Sequence, residues 1–223
     1  MYSIPGLTSG FTSRTRHFDE EKLTDASIHC DGKDFKVHAL ILSMHSEYFS
    51  KAFNGNWKES KGQKRIELQE VEADVVRAML RFMYHFDYTR PDDISAMLFD
   101  AKVYSAADMF LIPHLKEHSK QKFKTTMDSQ WSKAGFPGDL ACVIKQVYCT
   151  TPETDRGLRD LVVACCCNNL RTFAANEGFR PILDDIIGFA ADLVVYHTKT
   201  QCVGCGRQKN QCDCHNRRIS GFY

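Results

Sequence analysis

Apolar positions along this chain change their period several times, and each change marks an element. Ser27 to Cys30 alternates polar and apolar side chains, as a half-buried strand does. Asp31-Gly32 follows, a pair that tolerates positive φ and favours a tight hairpin turn. Phe35 and Val37 point to one face of the returning strand. From Ala39 the period becomes helical: Ala39, Leu40, Leu42 and Ser43 fit a helix packed on the hairpin, and Ile41 and Met44 widen its apolar face. Ser46 is placed to cap a second short helix carrying Tyr48, Phe49 and Phe53. Arg65 to Leu68 alternates again and predicts a third strand.

Three longer helices are predicted next. Val75, Val76, Met79, Leu80 and Met83 recur at helical spacing, with Tyr84 to Tyr88 closing the segment and Pro91 ending it. Ile94, Met97, Leu98, Ala101 and Tyr104 form another amphipathic set, and Asp92-Asp93 ahead of them suit a helix N-terminus. Pro113 fits the first turn of a helix running to about Phe123. Thr126 to Gly138 reads as a connector with Gly135 and Pro137-Gly138 as breakers. Beyond it the pattern is all-helical, with about three helices over 139–198. One carries Leu158, Leu161, Val162, Cys165, Cys166, Asn169, Leu170 and Phe173, and the last runs from Pro181 to His197.

The stretch from Asp25 to Phe49, followed by strand, helix and helical pair, resembles the BTB/POZ domains over roughly residues 19–125. Asp25, His38, Ser46 and Phe49 stand where the family pattern has them. The resemblance implies an α+β fold, a small three-stranded sheet covered by helices, and a protein-docking role. In that pattern Asp25, His38, Ser46 and Phe49 are structural. The expected organisation is a disordered leader (1–18), the BTB/POZ domain (19–125), an all-α extension (126–198) and a short Cys-rich tail (199–223). The whole is similar to the stand-alone BTB proteins of filamentous fungi.

Composition narrows the function classes. A net charge of +1 makes no global electrostatic case for nucleic acid or a membrane surface. No apolar run approaches the roughly 20 residues of a membrane span, and no secretory signal opens the chain. The expectation is an intracellular protein, cytoplasmic or nuclear. Phosphate-cradling Gly-rich loops, HExxH and GxSxG are all missing from the sequence. His114 and His118 stand one helical turn apart among lysines, as on a solvated face. The reading is of a protein that is not an enzyme.

Ten cysteines fall into two groups. Cys30, Cys142, Cys149 and Cys165 to Cys167 lie in apolar-periodic segments, where a free thiol packs as a small hydrophobe. Consecutive helical residues point about 100° apart, so Cys165 to Cys167 read as packing residues rather than ligands. Cys202, Cys205, Cys212 and Cys214 lie in a polar tail where packing does not explain them. Two thiolates spaced as Cys-x-x-Cys-Gly can share one ion from a tight turn, and the second pair completes a tetrahedral structural zinc site, with His215 as a substitute ligand. The other reading is a disordered tail with unpaired thiols.

What the resemblance implies for partners is specific. BTB domains that recruit a cullin scaffold for a ubiquitin ligase carry a hydrophobic-x-Glu motif in the loop after the Phe49-type helix, and Trp57-Lys58-Glu59 occupies that place. A homodimer of the exchanged, transcription-factor type is disfavoured by the short lead before Asp25 and by Ala39, where that type is often basic. The leading expectation is a docking adaptor, with a cullin as candidate partner. The alternative is a nuclear, transcription-linked scaffold using the cysteine tail.

Overall fold

The computed structural model describes residues 23–54, 64–131 and 139–201 of the chain. The chain divides into two units, with the boundary between Ser129 and Gln130.

The first unit holds a three-stranded sheet: β1 (Ala26–Cys30), β2 (Lys33–Val37) and β3 (Lys64–Leu68), in the order β2-β1-β3. β1 and β2 pair antiparallel with Cys30 opposite Lys33, leaving a two-residue loop. Asp31 and Gly32 both take positive φ, 48° and 72°, the handedness that matches the twist of the flanking strands. β3 pairs parallel to β1, with Ile66 opposite Ile28. Alternation then buries Ala26, Ile28, Cys30, Phe35, Val37, Ile66 and Leu68 in one core.

Among the described residues, five helices join this sheet: α1 (Ala39–His45), α2 (Glu47–Asn54), α3 (Ala73–His85), α4 (Ala96–Met109) and α5 (Pro113–Trp131). The expected α+β arrangement is thus present. α3 supplies the largest share of the helical side of the core, with Val76, Met79, Leu80 and Met83 buried. Phe86 ends it in the left-handed region at φ 58°. α4 starts later than the acidic pair suggests. Its N-cap is Ser95, whose hydroxyl accepts from the Leu98 N–H, and Asp92-Asp93 lie in the turn before it.

α5 continues past the connector expected from Thr126. Thr126 is buried inside the helix, donating to the Lys122 carbonyl and accepting from Arg90. That contact belongs to a network around Asp100, which is completely buried on α4. Asp100 accepts from the Tyr88 hydroxyl at 2.7 Å and from Arg90 through Nε at 3.0 Å and Nη2 at 2.6 Å. Burial and the neighbouring carboxylate push the Tyr88 phenol far above its ordinary pKa. Next to it, Asp87 is exposed, and what desolvation it meets is outweighed by hydrogen bonds from Lys122 and His118, which hold its pKa at about 2. The segment after α3 is therefore fastened to α4 and α5 by charge-assisted bonds.

The second unit is built of helices: α6 (Leu140–Thr150), α7 (Gly157–Asn168), α8 (Leu170–Ala174), α9 (Phe179–Asp185) and α10 (Ile187–Thr200). Where the periodicity predicts about three, two of the long stripes are interrupted. Asn169 leaves helical geometry (φ −117°, ψ 21°) and its side chain turns back to the Cys165 carbonyl. Ile186 (φ −119°, ψ 76°) breaks the last stripe, so Pro181 lies in the first turn of α9. Apolar spacing continues across both breaks and so hides them.

Phe173, Phe179 and Phe189 pack ring to ring in the core of this unit. Cys166 is fully buried with its thiol pKa pushed well up by burial. The buried Arg159 donates to the Tyr148 and Thr151 carbonyls at the end of α6 and lies over the Tyr148 ring at 4.5 Å. It thus satisfies carbonyls that the helix end leaves open. Among the described residues no helix is long and apolar enough to cross a membrane.

Replacing Asp100 by Ala strands the Arg90 guanidinium and the Tyr88 hydroxyl. The expected loss is about 3 kcal/mol of unfolding free energy by chemical denaturation. A loss below about 0.5 kcal/mol would contradict a structural role for this cluster.

Candidate functional site

Four of the singled-out residues sit around α1 and α2. Asp25 accepts the Ala39 N–H at 2.8 Å, satisfying a donor at the start of α1, while its own N–H bonds the Val37 carbonyl. His38 donates its backbone N–H to Tyr84 Oη at 3.0 Å, and its Nδ1 lies 2.8 Å from the same oxygen. Burial pushes the Tyr84 phenol up to about 12, so the hydroxyl keeps its proton and can donate. Asp25 and His38 together fix where the sheet hands over to the helices.

Ser46 separates α1 from α2 and is buried. Its hydroxyl accepts the Phe49 N–H at 3.0 Å, an N-cap at the third helical position. The same hydroxyl donates to the Phe110 carbonyl at 2.6 Å, a residue 64 positions away. Phe49 stacks between Phe53 at 6.2 Å and Phe110 at 5.7 Å.

That bond brings two segments side by side, and an open groove of about 710 Å³ lies between them. One wall is Ser43 to Glu47 with Ser50; the other is Ala107, Asp108 and Leu111 to Pro113, with Lys116. Lys116 Nζ donates to Asp108 at 2.6 Å along the second wall. The backbone there is unusual. Leu111 N–H bonds the Asp108 carbonyl and Ile112 N–H bonds the Ala107 carbonyl, the pairing of a Schellman helix end. Such an end wants glycine at its left-handed position, yet Leu111 occupies it at φ 52° with its side chain 47% exposed. A left-handed leucine holds an apolar side chain out toward the groove at a conformational cost of about 1 kcal/mol.

Trp57, Lys58 and Glu59 lie outside the described residues. The segment carrying them leaves α2 at Asn54 and returns at Lys64, and its two ends are joined: Lys64 Nζ donates to the Phe53 carbonyl at 3.1 Å. Cys202, Cys205, Cys212, Cys214 and His215 also lie outside the described residues. His114 and His118 are not brought together as ligands, because His118 is engaged by Asp87. Neither the groove nor the strained Leu111 is visible from the sequence, where Leu111 reads as an ordinary apolar residue. The lack of a glycine where α4 must stop was the available signal.

The BTB/POZ domain family matches residues 15–127. Kelch-like protein 40 of Xenopus tropicalis is 33% identical over 167 residues, covering 75% of this chain and 24% of that protein. Residues 1–127 cannot supply that many aligned positions, so the similarity reaches into the helical unit. Kelch repeat and BTB domain-containing protein 4 of Mus musculus is 28% identical over 110 residues, 49% of this chain and 19% of that one. The chain thus spans about a quarter or less of these relatives. Among solved structures, the BTB domain of human gigaxonin aligns with 21% identity and a TM-score of 0.43, over 54% of this chain and 96% of that one.

Ser46→Ala removes both the cap and the bond to Phe110. The expected cost is about 2 kcal/mol in chemical denaturation. Ser46→Thr, which keeps the hydroxyl, should recover more than half of it. Equal losses for the two variants would mean that packing rather than the two hydrogen bonds holds this site.

Proposed function

The chain belongs to the BTB/POZ family, and from that premise we propose that it is a protein-docking adaptor whose first unit engages a cullin scaffold. The groove beside α2 carries this reading. It has an apolar lip, Met44 and Leu111, and a polar rim, Glu47, Asp108 and Lys116, the mix typical of a protein interface. Trp57 and Glu59 follow α2 in sequence, and an aromatic anchor with a carboxylate would extend the same contact. The second unit, which shares in the similarity to Kelch-like protein 40, would carry the substrate-facing half of the adaptor.

Leu111→Gly separates docking from folding. Glycine relieves the left-handed strain but loosens the unfolded chain, so stability should change by less than about 1 kcal/mol. Co-purification with a cullin should fall about tenfold or more, as for Trp57→Ala combined with Glu59→Ala. Wild-type protein that retains no cullin would remove the ligase reading, and undiminished capture by Leu111→Gly would remove the groove.

A second reading is favoured by α1. Leu40 and Met44 stand one turn apart and are 71% and 68% exposed, two large apolar side chains left uncovered among the described residues. A second copy covering this stripe would need no strand exchange and no longer N-terminal lead. Light scattering should then give a dimer for the wild type and a monomer for Leu40→Glu. A wild-type monomer at roughly 100 µM would exclude it, since an interface of ordinary size binds more tightly than that.

A further inference from the structure

A second surface of the first unit has the opposite character. Arg77 and Arg81 lie one turn apart on α3, and with Thr89, Arg90 and Pro91 of the following segment they line a pocket of about 170 Å³. Each guanidinium is held differently. Arg77 lies over the Phe35 ring at 5.5 Å and reaches Asp74 only at 3.9 Å. Arg90 is locked by Asp100, Thr126 and the Lys122 carbonyl, so its position is set by buried groups. Arg81 is half-buried and has no carboxylate in ion-pair contact among the described residues.

The charges do not balance locally. Arg90 is neutralised by Asp100. Asp74 is then the single pocket carboxylate, and it is shared by Lys33 at 3.6 Å and Arg77, leaving Arg81 uncompensated. With Arg90 neutralised, Arg77 and Arg81 against Asp74 leave the lining an excess of one positive charge. A phosphoryl group carries roughly −1.5 to −2 charges at neutral pH and three acceptor oxygens, whereas a carboxylate carries one charge and two. Planar guanidinium forks bind such oxygens in pairs. The volume suits one such group, not a nucleotide.

We propose that the Arg77–Arg81–Arg90 pocket binds a phosphorylated serine or threonine side chain of a protein partner. This rests on the docking-adaptor reading, and it would make partner capture conditional on phosphorylation. Arg81 supplies the free fork, Arg77 closes the mouth from its place on Phe35, and Arg90 contributes a fixed positive edge.

The test uses the full chain and two fluorescent peptide pools, identical and degenerate except for a central phosphoserine or serine. The phosphoserine pool should bind about tenfold more tightly by anisotropy, and Arg81→Ala should abolish that preference. Arg81 has no ion pair to lose among the described residues, so Arg81→Ala should keep the wild-type circular dichroism. Should it misfold, Thr89→Glu puts a negative charge at the mouth and is expected to abolish the preference equally. Equal binding of the two pools overturns the proposal, as does a preference that survives both variants. Saturable binding of inorganic phosphate without any preference between the pools also overturns it, because the site would then take a free ion. A cullin still captured by a chain that shows no phosphoserine preference would sink this inference alone.

Discussion

The Ser46 hydroxyl joins two segments of the first unit that are far apart in sequence. By accepting from Phe49 it starts α2, and by donating to Phe110 it seats the end of α4 against the break between α1 and α2. Each bond is worth only about 1 kcal/mol net, but the Phe110 carbonyl would otherwise be buried without this partner. The bond therefore selects a geometry more than it adds stability. Once Phe110 is placed, its ring stacks on Phe49, Leu111 has to turn left-handed to send the chain into α5, and the groove opens between the two walls. Asp25 and His38 act one step earlier, setting the angle at which α1 leaves the sheet.

Much of this was legible in the sequence where the determinant is local. Asp31-Gly32 specifies its turn because few other pairs tolerate two positive φ values in succession. Ser46 reads as a cap because a hydroxyl residue precedes an apolar helix with nothing else to satisfy its first donors. α3 follows from its spacing alone. The failures occur where a distant group decides. Thr126 looks like the start of a connector, but Arg90 and the Lys122 carbonyl satisfy its hydroxyl and α5 runs on. Asp92-Asp93 look like a helix start, yet Ser95 is the residue that reaches the Leu98 N–H. Asn169 and Ile186 end helices whose apolar stripe continues past them, and periodicity carries no information about such breaks.

The proposed docking features show the same division more sharply. The Trp57-Lys58-Glu59 motif is readable because it is contiguous. The groove is not, since its walls come from residues 43–50 and 107–116, which the Ser46 bond to Phe110 and the Tyr48 and Phe49 rings on Phe110 bring together. Arg77 and Arg81 are contiguous in helical spacing, but the role of Arg90 depends on Asp100 and Thr126, which sequence cannot pair with it.

The two surfaces differ in how the fold prepares them. At the groove the fold keeps a leucine where glycine would be easier, and the proposed docking contact would give its exposed side chain something to meet. At the arginine pocket it keeps one guanidinium immobile through buried bonds and leaves another without an ionic partner among the described residues. An immobile cation loses little freedom when an anion arrives, and an uncompensated one need not break an existing pair first. Apolar contact at one site and charge at the other would let a single small unit distinguish partners that satisfy both from partners that satisfy either alone. Neither surface by itself needs to bind tightly for that discrimination to be large, because linked contacts multiply their equilibrium constants.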